Sequence, residues 1–327
     1  MRRVLVGCIL LLLAGFGSAV WWLDHPLSLD KPPVDLAIEP GTSARGVAQA
    51  AAQSGVNVSP ELLYAWFRLS GQDRQIKAGS YEVTAGTTPR SLLRKLVRGE
   101  ESLRTVTLVE GWNFRQVREA LASAAQLVPE SAGLSEAALM EKLGHTGLAA
   151  EGRFFPDTYS YAKGSSDIQL LARAQRAMDR QLLAAWESRA ADSPLKTAEQ
   201  ALVLGSIVEK ETGRAAERPM IAGVFANRLR LGMLLQTDPT VIYGMGEKFD
   251  GNLRKKDLLT DTPWNTYTRG GLPPTPIAMP GKQALLAAVA PAQTDALYFV
   301  ARGDGTSHFS NTLDEHNRAV DKYQRKR

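Results

Sequence analysis

The stretch TAEQALVLGSIVEKETG, Thr197–Gly213, runs apolar for most of its length and ends on two glutamates, Glu209 and Glu211, separated by Lys210. Thr197 followed three residues later by Gln200 is the pattern of a capping box, so a helix is expected to start there, with Gly213 as its natural stop. At 3.6 residues per turn, Ala201, Leu202, Val203, Leu204, Ile207 and Val208 define an apolar face; Glu211 falls within roughly 20° of its centre, Lys210 roughly 120° away and Glu209 roughly 140° away. Helical phase therefore expects Glu209 and Lys210 on the surface and Glu211 turned inward. A carboxyl at the end of an apolar stripe is partly desolvated, which raises its pKa and suits it to act as a general acid. The plainer alternative is a structural ion pair with a residue such as Arg228.

The flanking sequence supports a helical frame with functional loops. DIQLLARAQRAMDRQLLAAWESRA, from Asp167, has the spacing of one long amphipathic helix, and AERPMIAGVFANRLRLGM reads as another that ends near Gly232. Between and beyond them lie LLQTDPTVIYGMG (234–246) and TPWNTYTRGGLPPTPIAMPG (262–281), loops rich in turn residues, amides, hydroxyls and aromatics. Long polar loops in a compact domain usually carry function. Gln236, Thr237, Asp238, Tyr243, Asn265 and Tyr267 are the candidate substrate-binding residues, because such side chains can hydrogen-bond and stack against a sugar. RFFPDTYSYAKGSS, from Arg153, is aromatic with two turn signals and reads either as a rim to the cleft or, as aromatic clusters more often do, as simple core.

SIVEKET, NRL, LQTDPTVIYGMG, NTYTRGGLPPTPIAMPG and LYFVARGDGTSHFSNTLDEHN resemble the membrane-anchored endolytic murein transglycosylase family, also called YceG-like. The likeness runs from about Glu151 to the C-terminus. It implies that the glutamate just before threonine, here Glu211, is the catalytic acid. It further implies lytic cleavage of the β-1,4 bond between N-acetylmuramic acid and N-acetylglucosamine in nascent peptidoglycan strands, leaving 1,6-anhydromuramic ends and terminating elongation. Peptidoglycan synthases are then expected partners, and no cofactor is needed. A hydrolytic muramidase that uses Asp238 as a second carboxylate stays open, as does a non-enzymatic wall-binding scaffold.

Towards the N-terminus, VDLAIEPGTSARGVAQAAAQSG, SPELLYAWFRLSG and AGSYEV give a strand, a helix opening near Thr42 or Ser43, a second from Ser59, and a returning strand. This βααβ order resembles a LysM-type, glycan-gripping module; a packing unit without a ligand is the alternative. TPRSLLRKLVRGE adds an amphipathic helix. Val4–Leu23 carries no charge over twenty residues, close to the ~20 that span a bilayer core. Arg2 and Arg3 in front of it, and Trp21 and Trp22 near its end, place the N-terminus in the cytoplasm and the rest across the cell inner membrane, in the periplasm. A cleaved signal peptide is the rival reading, since Gly17–Ala19 holds the small residues of a cleavage site.

The fold class expected is thus α+β: a single transmembrane helix (1–23), a linker (24–33), a small LysM-like unit (34–103) and a larger mixed catalytic domain with a helix-borne glutamate (104–327). With 39 basic against 34 acidic residues, the net charge of +5 is spread without basic clusters, so a nucleic-acid partner is not expected. One cysteine, Cys8, rules out an intramolecular disulfide, and four histidines without ligand spacing predict no metal.

Overall fold

The computed structural model describes residues 2–324; within the first helix, the side chains at 2–5, 8, 9 and 12 lie outside the described residues. The chain is a mixture of helices and two-stranded sheets, and it divides into two compact units: Met1–Arg104 with Ser160–Gly164, and Thr105–Tyr159 with Ser165–Arg327.

The first unit runs α1 (Arg2–Asp24), β1 (Ser28–Leu29), β2 (Val34–Ile38), α2 (Ala44–Gln53), β3 (Val56–Asn57), α3 (Pro60–Leu69), β4 (Gly79–Val83), α4 (Pro89–Arg98) and the start of β5 (Leu103–Thr107). Strand β2 alternates as a half-buried strand should, with Val34, Leu36 and Ile38 inward and Asp35 and Ala37 outward. It pairs antiparallel with β4, Val34 opposite Val83 and Ile38 opposite Gly79. The helices begin where short hydroxyl side chains take orphan amides: Ser43 accepts from Gly46 N, Ser59 from Leu62 N, and Thr88 forms a full box with Ser91. Gly99 closes α4 in the left-handed region at φ 70°. Leu36, Val47, Phe67, Tyr81 and Leu96 meet in the core.

Residues 24–33 are not a free linker: Leu27 is buried and β1 pairs with β3. The uncharged run at 4–23 lies within α1, but Arg2 and Arg3 are among the residues whose side chains are not described. Among the described residues no helix is long and apolar enough to cross a membrane.

The second unit contains α5 (Phe114–Ser123), α6 (Glu136–Lys142), β6 (Thr158–Ala162, shared with the first unit), α7 (Asp167–Glu187), α8 (Ala198–Glu211), α9 (Arg218–Arg230), α10 (Asp238–Met245), α11 (Lys255–Leu259), α12 (Lys282–Val289), β7 (Tyr298–Ala301), β8 (Ser307–Ser310) and α13 (Leu313–Tyr323). Helix α8 is its axis, packed by α7, α9, α10 and α12. Every residue from Ala201 to Val208 is buried, the signature of a helix surrounded on all sides. Gly205 permits the closest approach, since a Cβ there would stand 3.2 Å from Leu285 Cδ2 of α12. The aromatic segment after Arg153 is core rather than rim: Phe154 is fully buried and stacks on Phe114 at 5.3 Å.

Candidate active site

Helix α8 starts on the Thr197 cap, whose hydroxyl accepts from Gln200 N at 3.2 Å, but Gln200 Oε1 reaches one residue further back, to Lys196 N at 2.6 Å, instead of closing the expected box. At the other end the helix stops at Glu211 without the expected glycine cap, because Thr212 turns extended at φ −146° and ψ 133°.

Side chains hold that last turn in place. Contrary to its expected surface position, Glu209 has a side chain only 5% exposed, ion-paired at 2.7 Å to Arg218, itself 9% exposed. Its second oxygen accepts from Gly281 N at 2.9 Å. Lys210, exposed as expected, donates to Gly111 O at 3.1 Å. The phase argument failed for Glu209 because it assumed one buried face, whereas Arg218 and the Gly281 backbone cover α8 on the Glu209 side as well. A charge there must be paired to be tolerated, and Arg218 pairs it.

Glu211 turns to the other side. One carboxylate oxygen accepts a short hydrogen bond from the Thr237 hydroxyl, and the carboxyl makes no other hydrogen bond among the described residues. Thr237 is held by its own amide, which donates to Thr266 Oγ1 at 3.1 Å, while Gln236 N donates to Thr266 O. The two polar loops are thereby sewn together behind the acid. Gln236 sits at φ 49°, a region a non-glycine residue rarely occupies. Asp238, the first residue of α10, accepts from the Tyr267 hydroxyl at 2.6 Å.

These groups line a cavity of about 430 Å³ with Glu211, Gln236, Asp238 and Tyr267 on one side and Tyr298 and His316, from β7 and α13, among the others. Arg228 also lines it, yet it is no ion-pair partner of Glu211: its guanidinium donates to Leu297 O and Leu235 O, both at 2.7 Å. Burial pushes the Glu211 carboxyl up to about 7; the Thr237 hydrogen bond opposes the rise, Asp238 adds to it and Arg228 opposes it. The site thus offers a carboxyl that carries a proton near neutrality, with an oxygen free to face a ligand. No group of three or more His, Cys, Asp or Glu that could hold a metal ion forms among the described residues.

A profile of the YceG-like family matches residues 36–322. The chain belongs to that family. It is 30% identical over 319 residues to a Bacillus subtilis protein named endolytic murein transglycosylase, covering 92% of this chain and 88% of that one. A Streptococcus pneumoniae protein of the same name is 28% identical over 352 residues; the match takes in 97% of this chain but 63% of the relative. A crystal structure of a yceG-like protein from Listeria monocytogenes superposes with a TM-score of 0.55 at 27% identity, covering 87% of this chain and 98% of that one.

Not every expected binding residue of this family member reaches the Glu211 cavity. Asn265 is fully buried; its amide donates to Thr260 O at 2.7 Å and Leu258 O at 3.0 Å and its oxygen takes Tyr267 N, so it orders the loop. Thr237 is buried and touches the acid. Tyr243 lines a separate cavity of about 1120 Å³ with Glu151, Lys210 and Trp264. There the Glu151 carboxyl is also pushed up to about 7, chiefly by burial, while it accepts from Phe114 N with both oxygens at 3.1 Å and from Tyr243. Reading by composition missed Arg228 as a cavity residue, together with Tyr298 and His316. The last two stand in the C-terminal motif LYFVARGDGTSHFSNTLDEHN, but no local spacing ties that segment to α8.

Proposed function

We propose that this chain is an endolytic lytic transglycosylase that cuts the N-acetylmuramic acid β-1,4 N-acetylglucosamine bond of peptidoglycan, with Glu211 as its single acid and base. The observation that carries the reading is the state of Glu211: protonated near neutrality, tied at one oxygen by Thr237 and facing a cavity of polar side chains. The names of the Bacillus and Streptococcus relatives support the same substrate.

In the first step the Glu211 O–H protonates the glycosidic oxygen as its bond to C1 breaks. The muramic C6 hydroxyl then attacks C1 and gives its proton to the Glu211 carboxylate, which closes the 1,6-anhydro ring and restores the acid. The nucleophile belongs to the substrate, so no second carboxylate has to activate water as in paired-acid glycosidases. Burial keeps Glu211 protonated, and the charge of Asp238, which is engaged by the Tyr267 hydroxyl, adds to that. Gln236 and Tyr267 contact the sugar. The uncharged run at 4–23 anchors the chain in the inner membrane with its N-terminus inside, the strand–helix–helix–strand unit grips glycan as a LysM-like module, and the enzyme works beside the synthases on new strands.

Mass spectrometry of the products that the full-length protein releases from purified peptidoglycan tests this. Anhydro ends are expected; reducing ends, heavier by one water, would replace the lytic route by hydrolysis through Asp238, and no release at all would leave a wall-binding scaffold.

A further inference from the structure

Helix α13 brings one more polar group to the Glu211 cavity. It is fixed at its start by a capping box between Thr312 and Glu315 and packs on β7 and β8. From its first turn His316 lines the cavity, its ring stacked on Tyr298 at 5.2 Å with an interplanar angle of 25°. Tyr298 is itself covered by the Arg228 guanidinium, whose central carbon stands 5.2 Å from the ring centroid, and Arg228 is anchored to two backbone carbonyls. The imidazole is thus held in one plane by a stack that ends on rigid backbone.

Its nitrogens are unspent. Nδ1 is buried without a hydrogen-bond partner among the described residues. Nε2 makes no hydrogen bond among the described residues and is not enclosed, so it is the nitrogen of this cavity-lining ring that is left for a ligand. Burial, with the nearby charge of Arg228 and then His308, holds the imidazole below its usual pKa, so the ring is neutral near pH 7. In a neutral imidazole the tautomer is set by whatever bond the other nitrogen makes. Here Nδ1 makes none, so Nε2 is free to donate or to accept.

We infer that His316 is a substrate-binding residue, whose Nε2 hydrogen-bonds a hydroxyl or acetamido group of an N-acetylated sugar on the wall contributed by β7 and α13. Tyr298 is not the stacking platform for that sugar, since its two neighbours are Arg228 and His316; it orients the histidine. The inference deepens the transglycosylase reading and rests on it.

Two substitutions separate binding from packing. His316→Phe keeps a flat ring on Tyr298 and removes both nitrogens; His316→Gln gives up the ring and keeps a donor and an acceptor. Binding of purified, peptide-free glycan strands is measured on the full-length Glu211→Gln protein, which holds strands without cutting them. A hydrogen bond to sugar predicts that Phe weakens binding about tenfold while Gln stays close to the parent; in the active enzyme Phe raises KM and leaves kcat. A merely structural histidine gives the reverse order, with Phe harmless and Gln impaired, and that order overturns the inference, as does an equal loss in both. Should either variant melt early, the imidazole nitrogen NMR signals of the Glu211→Gln protein decide: a shift of Nε2 on adding strands supports the contact, and an unmoved signal refutes it. Wild-type protein that leaves strands uncut would refute the transglycosylase reading, whereas the Phe and Gln contrast and the imidazole shift report on sugar binding alone.

Discussion

Two carboxyls of the second unit, Glu211 and Glu151, share an electrostatic condition and differ in how their oxygens are used. Burial pushes each to about 7, each accepts from a hydroxyl, and each stands at the wall of a cavity. Glu151 spends both oxygens on the Phe114 amide at the start of α5 and receives Tyr243 as well, so it works as a helix-start acceptor. Glu211 has a single hydroxyl on one oxygen and leaves the other to the cavity. A shifted pKa therefore does not distinguish an acid that reacts from an acid that holds a fold. The unspent lone pair and the neighbours across the cavity do.

The comparison breaks most readily at activity. Glu211→Gln is expected to lower the rate of glycan cleavage on the order of 10²–10⁴-fold, the usual weight of a positioned acid–base group, and to leave the protein folded. The same substitution carries a stability signature with a definite sign. The folded-state pKa is raised, so the Glu211 contribution to stability is fully present below about 4.5 and is lost as pH rises through about 7. Glutamine does not titrate, so the stability of the variant, followed by its melting temperature, should gain on wild type between pH 4 and pH 8, by at most on the order of 3 kcal/mol. A gap that stays flat across that range would deny that Glu211 is buried as a charge.

Glu151→Ala should show the opposite profile. It strands the Phe114 amide and the Tyr243 hydroxyl and costs about 1–3 kcal/mol of stability, while cleavage measured well below the melting temperature is retained. A loss of activity as deep as that of Glu211→Gln would show that the larger cavity belongs to the chemistry.

The smallest effect sharpens the comparison. Thr237→Val keeps the shape and removes the donor that favours the Glu211 carboxylate, so the pKa of the acid moves upward. Because the acid must be protonated to act, the decline of kcat on the alkaline side should shift to higher pH, with a modest change in rate at pH 6. An unmoved limb would mean that another group sets it.

Much of the frame was legible locally. The helix openings near Thr42 or Ser43 and at Ser59 follow from interactions within a few residues, and the helices are capped at Ser43 and Ser59. The inward direction of Glu211 was legible for the same reason, since 3.6 residues per turn is a local property. The stop of α8 ahead of Gly213 was legible as well, since the helix ends at Glu211 with Thr212 as its capping residue; only the extended conformation of that cap was not.

What the sequence by itself determined is the set of elements, the apolar run of α8 and a glutamate at its end. Only the tertiary structure decided the rest. Whether Glu209 is exposed depends on how many helices surround α8, which no helical wheel contains. Of the six polar loop residues, Asn265 and Thr237 went to holding loops and acid, Tyr243 went to the other cavity, and Gln236, Asp238 and Tyr267 remained at the Glu211 cavity. Those assignments turn on which donors and acceptors are already satisfied, a property of contacts between distant segments. His316 lies more than a hundred residues from Glu211 along the chain and lines the same cavity, because α13 packs on the hairpin that walls it.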